Sequence, residues 1–271
     1  MKTENSFVPS WSPLTTVRSL NRFLNELNQL SHENKSLVYR PLGPLQGKEG
    51  DFHVPRYVYF GPKNGGETIR LALFAGLHGD ELEGTFALIN LVKLLLANPE
   101  LGKGYALFIY PICNPTGFEN GTATNSSGRE LEFWSKNSEL EVQLLQNEIW
   151  THAFHGLITL QSDPLASGIY GFATGTVLSE HLLEPALIAA ETFLPRNRRS
   201  QVDGFPSNNG IIQSEFPGML RGVPGLSPAP FEVLLKTPRM APLHRQVNAT
   251  VAALRIILDE YRFLQTIGAN I

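Results

Sequence analysis

A single cysteine, Cys113, stands in a chain of 271 residues. That excludes an internal disulfide and any metal site built from several thiolates. No stretch approaches the ~18 apolar residues of a membrane span, and Met1-Lys2-Thr3-Glu4-Asn5-Ser6 lacks the apolar core of a secretory signal. A cytoplasmic protein with no membrane partner is the expectation. Charge of either sign is not in excess: 22 Lys and Arg face 25 Asp and Glu, and the basic residues do not cluster. Without a basic field, no nucleic-acid partner is expected. Also missing are a G-x-S-x-G elbow, a phosphate-binding glycine loop and a dinucleotide fingerprint. Serine hydrolase, NTPase and Rossmann dehydrogenase chemistry are therefore poorly supported. Repeats, low-complexity tracts and long linkers are absent as well, so residues 1–271 read as one domain, with 1–65 an N-terminal helix and edge-strand extension.

What is present is ample core material, with hydrophobic residues at 42%. Val17, Leu20, Phe23, Leu24, Leu27 and Leu30 form a helical stripe within Thr15–Leu30. Extended segments follow near Leu37–Tyr39 and Arg56–Phe60, the second closed by Gly61-Pro62-Lys63-Asn64-Gly65-Gly66, a strong turn signal. They read as an opening hairpin or edge-strand pair. Ile69–Phe74 and Tyr105–Ile112 read as buried strands, joined by a helix from about Glu81 to Leu96. A helix around Glu139–His152 leads to a strand at Leu157–Gln161. A helix at Ser179–Thr192, a strand at Phe231–Leu235 and a long helix from Leu243 to Thr266 complete the pattern. Near-continuously apolar strands alternating with helices predict an α/β fold: a three-layer α/β/α sandwich with a mainly parallel, mixed sheet covered on both faces. Cys113, inside the apolar run Leu107–Cys113, reads as a buried small hydrophobe.

Ligands of such sheets gather beyond the C-terminal strand ends, where His78, Asn114 and Gln161 fall. His78 and Glu81 form an H-x-x-E unit at a strand-to-helix junction. Their spacing lets an imidazole and a carboxylate share one cleft, and both suit zinc. Taken alone, the pair is also what a solvated helix start would show, with Asp80, Glu81 and Glu83 answering the helix dipole. Gly76 and Gly79 flank the histidine and permit a tight turn. Glu232 sits in an otherwise apolar strand, where an unpaired carboxylate is costly and calls for a function or a partner. His152 and His155 lie at a helix end, away from the expected site, and suit contact with a helix C-terminus.

Leu73-Phe-Ala-Gly-Leu-His-Gly-Asp-Glu-Leu-Glu-Gly84 resembles the zinc signature of the metallocarboxypeptidase superfamily, including its succinylglutamate desuccinylase and aspartoacylase branch. Tyr110-Pro-Ile-Cys-Asn-Pro-Thr-Gly-Phe-Glu119 resembles that superfamily's Asn-Pro-Asp-Gly-Phe segment. The resemblance runs from about Ile69 to the C-terminus. It implies zinc held by His78, Glu81 and a third ligand, a place that Gln161 occupies here instead of histidine. It implies Glu232 as general base.

Other family positions are altered. Ala123 stands for the arginine that polarises the scissile carbonyl, and Glu130-Leu131-Glu132-Phe133 for the segment that grips the substrate carboxylate. Arg129 is the nearby cation that could substitute, and Asn114 a further substrate contact. The expected activity is zinc-dependent hydrolysis of amide bonds in a small peptide or an N-acyl amino acid. The alternative is a catalytically impaired relative that keeps the fold as a binding or regulatory module.

Overall fold

The computed structural model describes residues 19–47, 50–131, 139–174, 176–216, 220–223, 225 and 229–268. The opening stripe yields two short helices, α1 (Leu20–Phe23) and α2 (Asn25–Glu33), parted at Leu24. Residues 15–18 of that stripe lie outside the described residues. Strands β1 (Leu37–Tyr39) and β4 (Tyr57–Phe60) pair antiparallel at the sheet edge, as their spacing suggested. Between them a hairpin of β2 (Leu42–Gly47) and β3 (Gly50–Val54) stands outside the main sheet, and the sequence reading had not resolved it.

The apolar runs form the centre. Strands β5 (Ile69–Phe74), β6 (Tyr105–Tyr110), β7 (Gly156–Asp163) and β12 (Phe231–Pro238) are parallel neighbours in the order β6-β5-β7-β12. Helix α3 (Glu83–Ala97) connects β5 to β6. The short α4 (Pro115–Asn120) and then α5 (Leu140–His152) lie between β6 and β7. Strand β8 (Tyr170–Ala173) runs antiparallel to β12, and β11 (Ile211–Ile212) borders it. The expected helix at Ser179–Thr192 is broken: a turn α6 (Thr176–Leu178) and a π-helical turn at Ser179–Leu183 precede α7 (Glu184–Ala190). Pro185, with no N–H to donate, falls in the first turn of α7, where none is needed. A small hairpin, β9 (Gln201–Val202) with β10 (Phe205–Pro206), leads to β11. Helix α8 (Leu243–Gly268) closes the described chain.

The strands alternate between two cores. Leu71, Leu73, Leu107, Ile109, Ile158, Leu160, Val233 and Leu235 pack against α3, α7 and α8. Ala72, Phe74, Phe108, Tyr110 and Leu157 pack against α5 through Val142, Leu145 and Ile149. Each fully buried Leu or Phe stabilises the fold by ~1.5–3 kcal/mol. The result is the three-layer α/β/α sandwich, with a mixed sheet of eight strands among the described residues. Because α3 leaves β5 on one face and α5 enters β7 on the other, the chain changes faces between these strands. The crevice outside their C-terminal ends is the switch point where such sheets bind ligands.

Candidate metal centre

After β5 the ladder with β6 continues into the loops. Cys113 N donates to Ala75 O at 3.0 Å and Asn114 N to Gly76 O at 2.9 Å. Gly76 has φ +61°, and a Cβ on Gly79 would lie 2.0 Å from the Gly117 carbonyl carbon. Both glycines are required by this turn, the first for its left-handed backbone and the second for the close approach to α4.

The turn brings His78 and Glu81 together. His78 Nδ1 lies 3.1 Å from Glu81 Oε1, while Glu81 Oε2 accepts from Ser162 N at 3.3 Å. Glu81 is 4% exposed, and His78 opens to solvent at 30% of its side chain. The hydrogen bond to Glu81 raises the His78 pKa, against the opposing effect of burial. Two donors each ~2.1 Å from one zinc ion subtend roughly 95° when 3.1 Å apart, so the pair fits a shared ion. The surroundings favour a cation too. Asp80 Oδ1 and Glu83 Oε1 are buried without a hydrogen-bond partner among the described residues. Burial, and then the charge of Glu81, push the Glu83 carboxyl up to about 7. Arg239, just past β12, holds the other Asp80 oxygen.

Glu130 is a contact that sequence reading passed over. Its Oε2 lies 4.0 Å from His78 Nε2. At that distance it makes no hydrogen bond to the ring, and its charge adds to the effect of Glu81 in raising the His78 pKa. The signal was its place within the altered clamp segment, read only as a loss. Glu132 and Phe133 of that segment lie outside the described residues.

Gln161 lies two residues before the end of β7, immediately before Ser162, and is 8% exposed. It is the residue that the resemblance puts in the third ligand's place. Among the described residues no group of three His, Cys, Asp or Glu could hold a metal. Asn114 is fully buried and caps α4. Its Oδ1 accepts from Gly117 N at 2.9 Å, and its Nδ2 donates to Leu77 O and Ala123 O. In this arrangement the amide holds the turn before His78. Arg129 is exposed and pairs with Glu139 at 3.3 Å.

Glu232 is not brought to this corner. Register pairs it with Leu157, level with Ala72, whereas Lys236 is the residue level with Gln161. Four residues of strand separate the two levels, about 13 Å. Glu232 Oε1 accepts from Gly222 N at 2.7 Å, and burial raises its carboxyl pKa. His152 and His155 lie at the opposite end of the strands. His155 Nδ1 accepts from Arg70 N at the start of β5, and His152 faces Glu148. Cys113 is fully buried, and burial pushes its thiol pKa up, as befits an inert core residue.

The fold is that of the metallocarboxypeptidases. A candidate metallopeptidase from Shewanella amazonensis shares 21% identity over 89% of this chain and 92% of its own, with a TM-score of 0.73. A metallo-carboxypeptidase from Burkholderia cenocepacia gives a TM-score of 0.68 at 15% identity, over 91% of this chain and 70% of its own. A metallo-carboxypeptidase from Pseudomonas aeruginosa, in complex with (2-guanidinoethylmercapto)succinic acid, gives 0.58 at 16% identity, covering 90% and 70%. More specifically, residues 67–132, which contain His78, Glu81, Asn114 and Glu130, match the model of the succinylglutamate desuccinylase/aspartoacylase catalytic domain. No curated protein matches the sequence. These likenesses give no support to the reading of an impaired binding module. No helix among the described residues is long and apolar enough to cross a membrane.

Proposed function

We propose that the protein is a zinc-dependent hydrolase of amide bonds in a small peptide or an N-acyl amino acid. The observation that carries it is the His78–Glu81 pair, 3.1 Å apart at the switch point, within the segment that matches the family. His78 Nδ1 and Glu81 would hold the ion, with Gln161 beside them as a weak amide donor. A bound zinc ion supplies Lewis acidity that polarises a carbonyl and lowers the pKa of coordinated water. The chain's own residues do the rest. Ser162 N holds Glu81, Asn114 fixes the turn that presents both, and Glu130 places a further negative charge near His78.

The resemblance implies proton transfer by Glu232, and its distance along β12 from the level of Gln161 makes that role the one to test first. With zinc supplied and turnover of N-acyl amino acids measured, Glu232→Gln lowers kcat by about 10²-fold if the carboxylate moves the proton. Unchanged turnover with a lowered melting temperature makes it the anchor of the Gly222 loop instead. The hydrolase reading itself falls if zinc-loaded protein cleaves no N-acyl amino acid or dipeptide, or if His78→Ala leaves zinc affinity intact.

A further inference from the structure

Asp80 precedes Glu81 in the turn, and its charge is among those that raise the His78 pKa, so its carboxylate lies near the imidazole. It is nonetheless held elsewhere. Its Oδ2 accepts from the Arg239 guanidinium, and its Oδ1 is buried with no hydrogen-bond partner among the described residues. Arg239 is 159 positions away and firmly mounted. Its N–H donates to Asp163 O at 3.0 Å, and its carbonyl accepts from Gln246 Nε2 at 3.3 Å. Gln246 is buried, and its Oε1 accepts from Thr237 Oγ1 at 2.8 Å. The end of β12 and the start of α8 therefore fix one guanidinium at the metal corner. The hydrogen bond to Asp80 raises its pKa against the effect of burial, and the charges of Glu81 and Glu83 add to that.

A positive charge mounted beside a site for a divalent cation weakens that site, so its presence there calls for a function. Zinc that activates water keeps three protein ligands and one open position, whereas a site closed by four protein ligands is structural. His78, Glu81 and Asp80 lie in one turn, with Gln161 beside them. A free Asp80 would add a second carboxylate donor and close the shell. Its hydrogen bond to Arg239 engages one oxygen and neutralises its charge, which removes it as a competitor for the ion.

We propose that Arg239 is a positioning residue that holds Asp80 off the metal and so keeps a coordination position open for water. The proposal deepens the hydrolase reading and rests on it for the ion itself. It concerns which side chain is kept away from that ion, so the two can be tested apart.

The test is zinc affinity of the full chain by chelator competition, together with the visible spectrum of the cobalt(II)-loaded protein. Arg239→Gln releases Asp80 and should tighten zinc binding by about tenfold or more. Its cobalt bands should change as a carboxylate enters the coordination shell, and turnover at saturating zinc should fall. Arg239→Lys, which can still hold Asp80, should keep the wild-type bands. So should the double variant Asp80→Asn with Arg239→Gln, because an amide is the poorer donor. An ion pair that only braces the fold gives the opposite sign: Arg239→Gln then loosens zinc and lowers the melting temperature. That result overturns the proposal. Tighter zinc with unchanged cobalt bands also overturns it, since the effect is then one of charge alone. Zinc bound by wild type with no gain in Arg239→Gln sinks the proposal and leaves the hydrolase reading standing. Zinc bound by neither protein sinks the zinc-dependent reading, and the proposal with it.

Discussion

At the C-terminal end of β5, two side chains three residues apart meet within 3.1 Å. Near the start of β12, Glu232 meets the amide of Gly222, while Lys236, four residues on, stands level with Gln161. The two regions teach different things. In the first, the geometry is set by one turn, and its glycines, its histidine and its carboxylate are all within a few residues of one another. In the second, what a side chain reaches depends on how far the strand slides against its neighbour, and a run of apolar residues leaves that slide open.

The comparison can be broken first at the turn. Gly79→Ala would drive a Cβ into the backbone of Gly117 and Phe118 at 2.0–2.1 Å. Neither side of that contact can yield cheaply, so a loss of several kcal/mol in stability is expected, by analogy with severe overpacking. Chemical denaturation measures it, and a variant as stable as wild type would mean the loop and α4 do not touch.

The next test concerns the charge around the imidazole. Glu130→Gln should weaken zinc binding by up to about tenfold, the effect of removing one exposed negative charge near the ion. Competition with a chromophoric chelator reads the change. An unaltered affinity would remove Glu130 from the centre.

Gln161→His sharpens the comparison from the other strand. If β7 is in the register described, the new imidazole adds a third strong donor and should tighten zinc binding by about tenfold or more. Equal affinity in the same competition assay would show that position 161 does not face the pair.

The smallest effect lies at the far end of the sheet. Burial, and then the charge of Arg70, lower the pKa of His155, whose Nδ1 accepts from Arg70 N at 3.0 Å. The unfolded chain therefore takes up the proton first. The stabilising contribution is present above the ordinary histidine pKa of ~6.5 and is lost as the pH falls through the folded value. Melting temperature should decline from pH 7 to pH 5, and more steeply than in His155→Asn, whose side chain can still accept from Arg70 N. Parallel slopes would contradict the assignment.

Much of this protein was legible without coordinates. Ile69–Phe74 and Tyr105–Ile112 announced buried parallel strands because both faces of such strands meet helices and carry no polar alternation, and the second ends at Tyr110 in the fold. The H-x-x-E unit and its glycines announced the corner, because residues three apart in one turn have few other places to go. The hairpin of β2 and β3 and the short β8 and β11 were not announced, since they have too few residues to establish a period. Glu130 was hidden because its partner is 52 positions away in sequence, and no local spacing encodes that distance.

The sequence by itself determined the layered α/β class and the meeting of His78 with Glu81, both products of short-range chemistry. Only the tertiary structure decided that Glu232 lies about 13 Å down its strand from the level of Gln161, and that Glu130 comes within 4.0 Å of His78. The physical reason is common to both. Each depends on strand register or loop packing between distant segments, where the apolar pattern specifies burial and leaves relative position to the fold as a whole.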